Sequence, residues 1–537
     1  MLPAVALPGA ALAGPGPATG GATAAESVLR DASHASAGGT AITPEGRAYE
    51  AAIAALGARG RFGIRLGLGR TTALLHALGD PQRQIRGALV AGTNGKGSVQ
   101  AMAAAMLRAA GYRVGQTPKP HLVEYRERIV VDGTPIGPGE MAALLERALH
   151  AAEDVTGRLG PPTEFEVLTA AAFTWFAEQG VDLAVVEVGL GGRLDATNAW
   201  DGGVAAITNV AMDHAELLGG TIPLIAREKA AIIKRGDLAV TGAEGVALQV
   251  VRRRARRMGV PLTETPPLQV LGMDRHGVRV VAPDLGEVQL GLLGRHQAAN
   301  AAVALGVVDA LERAGIARVP LAARRAGLEG TSWPGRLELI RVPPRALEGT
   351  MGVPLPGAPI AAAAGGAGGG ARPEGTGGWP EGAGDWPRAA DEWPGAAGEA
   401  LEVDVLLDGA HNPAGIAALV EAFEELRPSL APGRPTLLLA IMADKDVDGM
   451  MRRLARAEGL GDAHVVVTRV TERGAPPERL AASWSRPTSV EAAGAPGEAF
   501  ERALGSARAE GGPLVVAGSL YLVGAVRGIL ASRGLVS

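Results

Sequence analysis

Short apolar runs alternate with longer helical patterns along most of the chain. The runs at 85–90 (IRGALV) and 183–186 (LAVV) suit buried strands, as in a parallel sheet that is covered by helices on both faces. A second group of strands follows residue 400, with the sequences EVDVLLD, PTLLLAI, AHVVVTR and PLVVAGS, separated by helical segments near 414–427, 447–458 and 497–509. This alternation predicts an α/β fold with two parallel-rich sheets, the second smaller than the first.

Two predicted helices have informative first turns. Thr163 and Glu166 have the spacing of a capping box, which predicts that a helix begins after Thr163. A helix predicted from about 296 to 315 carries Gln297 and Asn300 in its first turn. Such amides either cap the helix or hydrogen-bond an adenine edge, and both interpretations stay open.

The length of 537 residues exceeds what one hydrophobic core normally serves, so we expect two domains, at 46–330 and 331–537. Residues 1–45, rich in Ala, Gly and Pro, are predicted to be a disordered tail, since Pro and Gly interrupt the apolar core that a secretory signal needs. A low-complexity insertion is predicted at 343–400. Tryptophans recur there at a spacing of seven, but Pro and Gly in each unit exclude a coiled coil.

Composition narrows the class of protein. The net charge of −4 argues against a protein built to bind nucleic acid. No segment offers about 18 uninterrupted apolar residues, so no membrane span is expected. The chain has no cysteine, which excludes disulfides and thiolate sites and fits a reducing compartment. We therefore expect a cytoplasmic protein with neither nucleic-acid nor membrane partners.

The glycine-rich stretch AGTNGKGS, from Ala91 to Ser98, lies between a predicted strand and a predicted helix. Its three glycines let several backbone N–H groups point to one place, at the positive end of the following helix. Such a loop binds phosphate, with Lys96 beside the outer phosphates and the Ser98 hydroxyl offered to a metal ion. The usual pattern has glycine at Val90 and a hydroxyl at Gly97, so a simple tight turn stays an alternative.

Polar side chains follow other predicted strands. Glu187 ends the strand at 183–186, and His214 follows the apolar run GVAAITNV. Because ligands of open α/β sheets bind at the carboxyl ends of strands, both are predicted to lie beside the glycine-rich loop. A solvated glutamate and a structural histidine are the alternatives. After EVDVLLD, the segment from Asp408 to Pro413 forms another dense polar cluster.

Lysine is rare in this chain, whose 52 basic residues include only Lys96, Lys119, Lys229, Lys234 and Lys445 as lysines. Where arginine is the default cation, a lysine suggests a compact point charge or an amine that can lose its proton. Lys96 fits the first role, and chance codon usage is the alternative for each of them. Lys119 and His121 lie beside two prolines and are predicted on an extended loop.

Together these residues resemble one family, the folylpolyglutamate synthases and dihydrofolate synthases within the Mur-type ATP-dependent amide ligases. Eleven strings match the family in order: AGTNGKGS, PHLVEYRERI, TEFEVLTAAAF, VEVGLGGRLDATN, ITNVAMDH, IAREKAAI, GRHQAANAAVAL, WPGRLE, DGAHNPAG, ADKD and AGSLYLVG. The resemblance implies a Mur-ligase-like P-loop ATPase domain at 46–330. A smaller Rossmann-like glutamate-ligase domain at 331–537 would close over it.

The resemblance also implies candidate site residues. The nucleotide would contact Gly92, Thr93, Asn94, Gly95, Lys96, Gly97 and Ser98, with Asn300 near the adenine and Arg336, Asp408 and His411 closing from the second domain. Ser98, Glu187 and His214 would bind Mg²⁺ or Mn²⁺, and Lys229 would carry a carbamate made from its neutral amine and CO₂. The pterin substrate would contact Thr163, Glu164, Phe165, Glu166, Leu194, Asp195 and Ala196. Lys96, Glu187, His214 and Lys229 are the expected catalytic residues.

The implied reaction adds L-glutamate to folate or to dihydropteroate. ATP would phosphorylate the substrate carboxylate, and the amine of glutamate would then displace phosphate from the acyl phosphate. The protein would act as a monomer. Two rival functions stay open, namely a related ligase for another carboxylate and a nucleotide-dependent switch that performs no ligation.

Three positions depart from the family pattern. Lys119 stands where a serine helps to bind a second metal ion, which weakens the expectation of that ion; as a hypothesis, the ammonium replaces part of its charge. Arg65 stands where bifunctional members tend to carry an aspartate facing the pterin, which weakens the expectation of dihydropteroate use. Ala231 replaces a glycine, a packing change from which we expect little consequence.

Overall fold

The computed structural model describes residues 43–62, 65–343, 402–488 and 490–536. The predicted tail at 1–45 and the predicted insertion at 343–400 therefore lie almost entirely outside the described residues. The helices are α1 (Pro44–Gly57), α2 (Gly69–Ala77), α3 (Lys96–Ala109), α4 (Pro138–Leu159), α5 (Glu164–Glu178), α6 (Ala215–Leu218), α7 (Ile222–Ala230), α8 (Gly245–Met258), α9 (Gln297–Arg313), α10 (Leu321–Glu329), α11 (Pro413–Leu426), α12 (Val447–Arg456), α13 (Pro477–Ser483), α14 (Pro496–Glu510) and α15 (Leu520–Ser532).

The first sheet has eight strands in the order β4-β3-β2-β5-β1-β6-β7-β8. They are β1 (Gly87–Ala91), β2 (Val114–Thr117), β3 (Val130–Val131), β4 (Thr134–Pro135), β5 (Leu183–Glu187), β6 (Gly203–Ile207), β7 (Leu238–Thr241) and β8 (Leu262–Glu264). Within this sheet β2, β5, β1, β6, β7 and β8 pair in parallel. The strands β3 and β4 are antiparallel and form one edge. The sheet order places β1 between β5 and β6, so their carboxyl ends meet at one edge.

Alternate residues of β1 enter different cores. Ala88 and Val90 pack with helices α3, α9 and α10 on one face, and Leu89 and Ala91 pack with α4 and α5 on the other. Because both faces of the strand are covered, its residues are apolar without interruption, as the sequence pattern predicts. The second sheet, in the order β11-β10-β9, is antiparallel and consists of β9 (Gln269–Asp274), β10 (Gly277–Ala282) and β11 (Gly286–Leu290).

The third sheet has six strands in the order β12-β13-β17-β14-β15-β16. They are β12 (Glu338–Val342), β13 (Val403–Leu407), β14 (Thr436–Leu439), β15 (His464–Val467), β16 (Val490–Ala492) and β17 (Leu514–Ala517). All pair in parallel except β12, which is antiparallel to β13. Helices α11 to α13 pack on one face of this sheet, and α14 and α15 pack on the other. The predicted α/β fold with two parallel-rich sheets is confirmed.

The two sheet systems form separate lobes. We call β1–β11 with α1–α10 the N lobe, and β12–β17 with α11–α15 the C lobe. Arg275, at the turn between β9 and β10, reaches the C lobe, where its guanidinium bonds the two Asp404 carboxylate oxygens at 2.7 and 3.3 Å. Arg295 likewise bonds Glu425 of α11 at 2.7 Å. These ion pairs fix one side of the junction between the lobes. Among the described helices, none is long and apolar enough to cross a bilayer.

Candidate active site

The carboxyl ends of β1, β5 and β6 face the carboxyl end of β13 across one cavity of about 650 Å³. Residues 92–98, after β1, line its N-lobe side, and we call them the phosphate loop. Residues 408–412, after β13, line its C-lobe side, and we call them the polar loop. The four predicted catalytic residues, Lys96, Glu187, His214 and Lys229, all line this cavity. The structure thus brings together side chains that are far apart in the sequence.

The phosphate loop leaves the start of helix α3 open. Gly92 and Gly95 have φ angles of 156° and 80°, which glycine adopts without strain. Gly95 is the N-cap of α3, and within the described part of the chain no side chain caps this helix. Gly97 lies against the Trp333 ring, so close that a Cβ there would be 2.7 Å from a ring carbon. The first-turn N–H groups of α3 therefore remain available, at the positive end of the helix dipole, to an anion such as phosphate.

Hydrogen bonds to the segment after β6 hold the phosphate loop in place. The Asn94 N–H donates to Asn209 Oδ1 at 2.9 Å, and Thr208 Oγ1 donates to the Asn94 carbonyl at 2.6 Å. The Thr93 N–H donates to the Asn209 carbonyl at 3.0 Å. These contacts fix the backbone on both sides of Asn94 and so hold the loop in a shape that suits phosphate.

Asn300 packs directly against the phosphate loop. A Cβ added at Gly95 would lie 2.1 Å from Asn300 Oδ1, and one added at Gly92 would lie 1.8 Å from Thr208 Oγ1. Asn300 Nδ2 donates to Gln297 Oε1 at 2.8 Å, so the two amides in the first turn of α9 bond each other. The position next to the loop agrees with the predicted place of Asn300 near a nucleotide. Its contact with adenine stays a prediction.

Two lysine ammonium groups converge on the carbonyl of Gly92. Lys96 Nζ donates to the Gly92 oxygen at 3.2 Å and to the Thr93 oxygen at 3.0 Å. Lys229 Nζ, on α7, donates to the same Gly92 oxygen at 2.8 Å. Burial, together with the Lys96 charge, lowers the pKa of Lys229 to about 7. A large fraction of the Lys229 amine is therefore neutral near pH 7, which no arginine could match.

Glu187 and Lys119 lie side by side at the end of β5. The Lys119 N–H donates to Glu187 Oε2 at 3.1 Å, and Lys119 Nζ donates to the Glu187 carbonyl at 2.6 Å. Lys119 Nζ also lies 4.5 Å from the centre of the Phe165 ring. Burial raises the pKa of the Glu187 carboxyl, against the charges of Lys96, Lys119 and Arg336. Burial lowers the pKa of Lys119 to about 8, against the nearby Asp195 and Glu187 carboxylates.

His214 lies at the rim of the cavity in a strained backbone conformation, with φ of 48°. Its side chain is 40% exposed, and its Nε2 is 3.9 Å from Asp213 Oδ2. Burial lowers the pKa of His214, although the Asp213 charge opposes this. Lys445, from the C lobe, approaches Asp213 Oδ1 to 3.5 Å. The predicted ligand His214 is thus adjacent to an ion pair that joins the two lobes.

Asp408 organises the polar loop from a buried position. Its carboxylate accepts hydrogen bonds from the Leu337 and Ala410 N–H groups, each at 2.9 Å. Burial raises the pKa of Asp408, while the Arg336 charge opposes the rise. A Cβ added at Gly409 would lie 2.3 Å from Arg336 Nη1, so this guanidinium rests on the polar loop. The predicted pair Arg336 and Asp408 is therefore brought together on the C-lobe side.

The polar loop contacts the phosphate loop directly. Asn412 Nδ2 donates to Asn94 Oδ1 across the cavity at 3.4 Å. Asn412 Oδ1 accepts from the Gly415 N–H at 2.8 Å and so caps α11. His411 Nδ1 lies 2.7 Å from the Gly409 carbonyl, and burial lowers the pKa of His411. The two lobes therefore meet across the space where the resemblance puts the nucleotide.

Of the predicted pterin contacts, one residue lines the cavity and the others lie behind its lining. Phe165 lines the cavity. Thr163 and Glu166 form the predicted capping box of α5, which is confirmed. Glu164 accepts from the Tyr125 hydroxyl at 3.0 Å. Thr163, Glu164 and Glu166 thus have structural partners, and their pterin contact stays a prediction.

The other three predicted pterin contacts are Leu194 and Asp195, which precede the short 3₁₀ turn at Ala196–Ala199, and Ala196, which begins it. Asp195 is buried and accepts from the Leu190 N–H at 2.8 Å and the Thr197 N–H at 3.0 Å. The Leu194 carbonyl accepts from the Gly67 N–H at 3.5 Å, and Ala196 is buried. This turn is close to the cavity, since a Cβ added at Gly189 would lie 3.1 Å from Asp195 Oδ2. It forms a wall behind the cavity.

Several cavity residues were not singled out by the sequence. Arg128, Asn209, Asp213 and His296 line it. Burial, with the Arg336 charge, lowers the pKa of His296 to about 4, so this ring is neutral. Asn209 and Asp213 follow β6 at the same edge as Glu187, and the rule about strand ends would have identified them. Arg128 and His296 come from elements whose place only the folded chain reveals.

The donor set at the phosphate loop suits a magnesium ion that is bound mainly through a nucleotide. Ser98 and Glu187 both line the cavity, and they offer a hydroxyl and a carboxylate oxygen. Over the described ranges, no group of three or more His, Asp and Glu side chains could hold a metal by itself. Mg²⁺ commonly takes one or two carboxylates and completes its shell with phosphate oxygens and water. The residues present therefore fit Mg²⁺ bound together with a nucleotide.

Models of two protein families match the chain. The Mur ligase middle domain matches residues 90–308, and the Mur ligase glutamate ligase domain matches residues 397–520. The first match contains the phosphate loop, and the second contains the polar loop. Each side of the cavity therefore lies in its own matched segment.

Curated relatives and solved structures agree with these matches. The chain is 40% identical over 314 residues to dihydrofolate synthase/folylpolyglutamate synthase of Bacillus subtilis (strain 168), which covers 56% of this chain and 73% of the relative. It is 33% identical over 444 residues to the protein of the same name from Mycobacterium tuberculosis, covering 77% of this chain and 76% of the relative. The structure of Mycobacterium tuberculosis folylpolyglutamate synthase complexed with ADP superposes with a TM-score of 0.70 at 29% identity, covering 90% of this chain and 98% of that chain.

Proposed function

Because the chain belongs to the Mur ligase family, in the branch of the dihydrofolate synthases and folylpolyglutamate synthases, we propose that it adds L-glutamate to a folate with the use of ATP. The observation that carries this proposal is the cavity between the phosphate loop and the polar loop. On one side it offers an uncapped helix start and two lysines, and on the other an arginine and polar side chains. That combination suits a triphosphate held next to an acid and an amine.

The chemistry requires activation of an acid. A carboxylate does not react with an amine unaided, because its oxygen is a poor leaving group. In the proposed reaction an oxygen of the folate carboxylate attacks the γ-phosphorus of ATP, the bond from that phosphorus to the bridging oxygen breaks, and ADP leaves. The neutral amine of glutamate then attacks the acyl carbon, phosphate leaves, and the nitrogen loses a proton. Lys96 and Arg336 would neutralise the charge that develops on the phosphoryl oxygens.

We place the nucleotide on the uncapped start of α3. Gly92, Thr93, Asn94, Gly95, Lys96, Gly97 and Ser98 would hold the phosphates, Asn300 would lie near the adenine, and Arg336, Asp408 and His411 would contact the nucleotide from the C lobe. The contact between Asn412 and Asn94 supports this placement, since it brings the two loops to the same ligand.

We propose that Ser98 and Glu187 hold Mg²⁺, with His214 contributing from the rim. When bound, the ion would neutralise phosphate charge and orient the oxygens for transfer. We propose only one such ion at Glu187, because the Lys119 ammonium already lies next to this residue and supplies positive charge there. The Glu187 carboxylate suits a hard cation.

We further propose that Lys229 carries a carbamate. The neutral amine nitrogen would bond the carbon of CO₂ and release one proton, which leaves an anionic carbamate in place of the amine. Burial and the pKa of about 7 support this, because only the neutral amine reacts. The anion would then orient the Lys96 charge beside the phosphates.

On the acceptor side we propose that Phe165 contacts the substrate, with Thr163, Glu164, Glu166, Leu194, Asp195 and Ala196 shaping the wall around the pterin. Dihydropteroate is a candidate second acceptor, and Arg65 argues against it. We also propose a monomeric cytoplasmic enzyme whose ATP-binding domain spans 46–330 and whose glutamate-ligase domain spans 331–537. The family matches at 90–308 and 397–520 support this division.

One assay tests the proposal. Purified protein is incubated with ATP, Mg²⁺ and L-glutamate, and with tetrahydrofolate or dihydropteroate in separate reactions, and the products are weighed by mass spectrometry. We expect tetrahydrofolate to gain one glutamyl unit or more, in step with ADP release. ATP hydrolysis without a glutamyl product on either compound would contradict the proposal and favour another carboxylate substrate.

A further inference from the structure

Lys119 is a partly buried cation that lines the cavity. Its side chain lies between Glu187, at the edge of the phosphate loop, and Phe165, on the acceptor side. Its ammonium interacts electrostatically with Asp195 and Glu187 and is repelled by Arg128 and Lys96. The residue is therefore held between Glu187 and Phe165, the one assigned by the proposed function to the metal and the other to the acceptor.

The hydrogen-bond capacity of Lys119 is not used up by the protein. An ammonium group has three N–H donors. One donates to the Glu187 carbonyl at 2.6 Å, and the group lies 4.5 Å from the centre of the Phe165 ring. Throughout the described segments no carboxylate oxygen comes within ion-pair distance of this ammonium, in contrast to Lys445, which pairs with Asp213 at 3.5 Å. Lys119 thus keeps donor capacity for an anionic ligand in the cavity.

The position of Lys119 selects the kind of anion. Lys96 and Lys229 already supply positive charge at Gly92, at the base of the phosphate loop. Lys119 lies instead next to Phe165, whose ring suits the apolar body of an acceptor and not a triphosphate. An ammonium over the Phe165 ring fits a carboxylate that is carried by an aromatic molecule. Buried ammonium groups bind such carboxylates through short, charge-assisted hydrogen bonds.

We propose that Lys119 binds the reacting carboxylate of the acceptor and aligns one of its oxygens with the γ-phosphorus of ATP, an inference that rests on the proposed function. Lys119 stays protonated through this step and transfers no proton. One carboxylate oxygen forms the new bond to phosphorus, while the other accepts the hydrogen bond from Nζ. The bond from phosphorus to the bridging oxygen breaks, and ADP carries away that electron pair.

A double comparison of residue and ligand tests this assignment. Binding of tetrahydrofolate, and of the same compound with its terminal γ-carboxylate converted to a carboxamide, is measured by calorimetry in the presence of β,γ-methylene ATP. The proteins are the wild type, Lys119→Met and Lys119→Arg. We expect Lys119→Met to weaken binding of the carboxylate ligand about tenfold to a hundredfold, since a hydrogen bond to a charged group is lost. The carboxamide should change less than about threefold, and Lys119→Arg should recover part of the affinity.

Lys234→Met is the matched control. Lys234 is also a mostly buried lysine whose Nζ donates to a backbone carbonyl, that of Trp200, but it is not among the residues that line the cavity. It should change neither acceptor affinity. Thermal unfolding and binding of β,γ-methylene ATP alone, measured for every variant, separate loss of the fold from loss of the contact.

Two results would overturn the assignment. Equal weakening of the carboxylate and carboxamide ligands by Lys119→Met would show that the lysine only supports the wall of the site. Loss of nucleotide affinity in place of acceptor affinity would show that the ammonium serves ATP. The ligation assay with the wild type distinguishes the proposed function from the proposed role of Lys119. If the wild type adds glutamate but Lys119→Met does not discriminate between the carboxylate and carboxamide ligands, only the role of Lys119 is overturned. A wild type that adds no glutamate to tetrahydrofolate overturns both.

Discussion

The phosphate loop and the polar loop occupy equivalent places in two different sheets. Each follows the carboxyl end of a strand in a parallel-rich sheet and leads into a helix, α3 in one case and α11 in the other. The start of α3 follows Gly95 and has no side-chain cap, whereas the start of α11 is capped by Asn412 and has Pro413 in its first turn. The same strand-loop-helix unit therefore has an uncapped helix start in the N lobe and a helix start that is capped by a side chain in the C lobe.

This difference shows how one topology serves two roles. An open helix start binds an anion through its backbone, and glycines are needed because the backbone itself must approach the ligand. At the start of α11 the Asn412 cap accepts from the Gly415 N–H and Pro413 has no N–H to offer, so the polar loop presents fewer backbone donors than the phosphate loop. It acts mainly through side chains, here Asp408 and His411. The N-lobe loop is thus suited to bind phosphates through its backbone, and the C-lobe loop to contact the nucleotide from the other side through its side chains.

Removing the phosphate-loop cation should have the largest effect. Lys96→Ala takes away the charge next to Gly92 and Thr93, and we expect kcat to fall about 100-fold to 1000-fold, as when a preorganised donor to a transition state is deleted. Initial rates of ADP release and glutamyl transfer measure this. Circular dichroism checks that the fold persists. A rate within about threefold of the wild type would mean that the open helix start suffices alone.

A buried charge on the opposite side should matter less. Asp408→Asn keeps the side-chain shape but removes the anion that accepts from Leu337 and Ala410 and balances Arg336. We expect kcat/KM for ATP to fall about tenfold to a hundredfold, because one of two backbone donors loses its charged acceptor. Steady-state kinetics at varied ATP provides the measurement. An unchanged kcat/KM, with normal thermal stability, would remove the polar loop from nucleotide binding.

The pH dependence of stability probes the buried lysine beneath the phosphate loop. Lys229 has a pKa of about 7 in the folded chain against an ordinary value of 10.5, so between these values the unfolded chain binds more protons. Stability attributable to Lys229 should therefore rise with pH across this window, by up to about 1.4 kcal/mol per pH unit, and level off outside it. Urea unfolding in CO₂-free buffer, with Lys229→Met, should show this slope reduced. Identical slopes in both proteins would contradict the low pKa.

The smallest expected effect sharpens the comparison of the two helix starts. Asn412→Ala removes the cap of α11 and should cost about 1 kcal/mol of unfolding free energy. Asn412→Asp keeps a capping oxygen while losing the amide that donates to Asn94, so it should restore most of that stability. Chemical denaturation of both variants gives the numbers. Equal losses would assign the stability to the contact between the loops and not to the cap.

The elements and the edge of the site followed from local patterns. The apolar runs predicted buried strands, the capping box of Thr163 and Glu166 predicted the start of α5, and the rule about strand ends put Glu187 beside the phosphate loop. These signals depend on residues close together in sequence, or on one general property of parallel sheets. They can therefore be identified before any tertiary contact is known.

The environment of individual side chains was beyond such patterns. Lys119 lies in a loop, as the sequence predicted, but its partly buried position between Glu187 and Phe165 depends on the folded chain. Scarcity of lysine singled out Lys445, but its pairing with Asp213 depends on how one lobe meets the other. The burial of a side chain and the identity of its partner depend on packing between distant segments. Sequence composition does not predict that packing.

The antiparallel edge of the third sheet has a practical consequence for engineering. Val342, at the end of β12, pairs with Val403, at the beginning of β13, so the residues between them enter and leave the sheet side by side. These anchor points are at the opposite end of β13 from Asp408, about 17 Å away along the strand. In general, the entropy of closing a flexible connection changes by only about 0.6 kcal/mol for each halving of its length. A trimmed version with a short hairpin linker is therefore a sensible starting point for crystallisation.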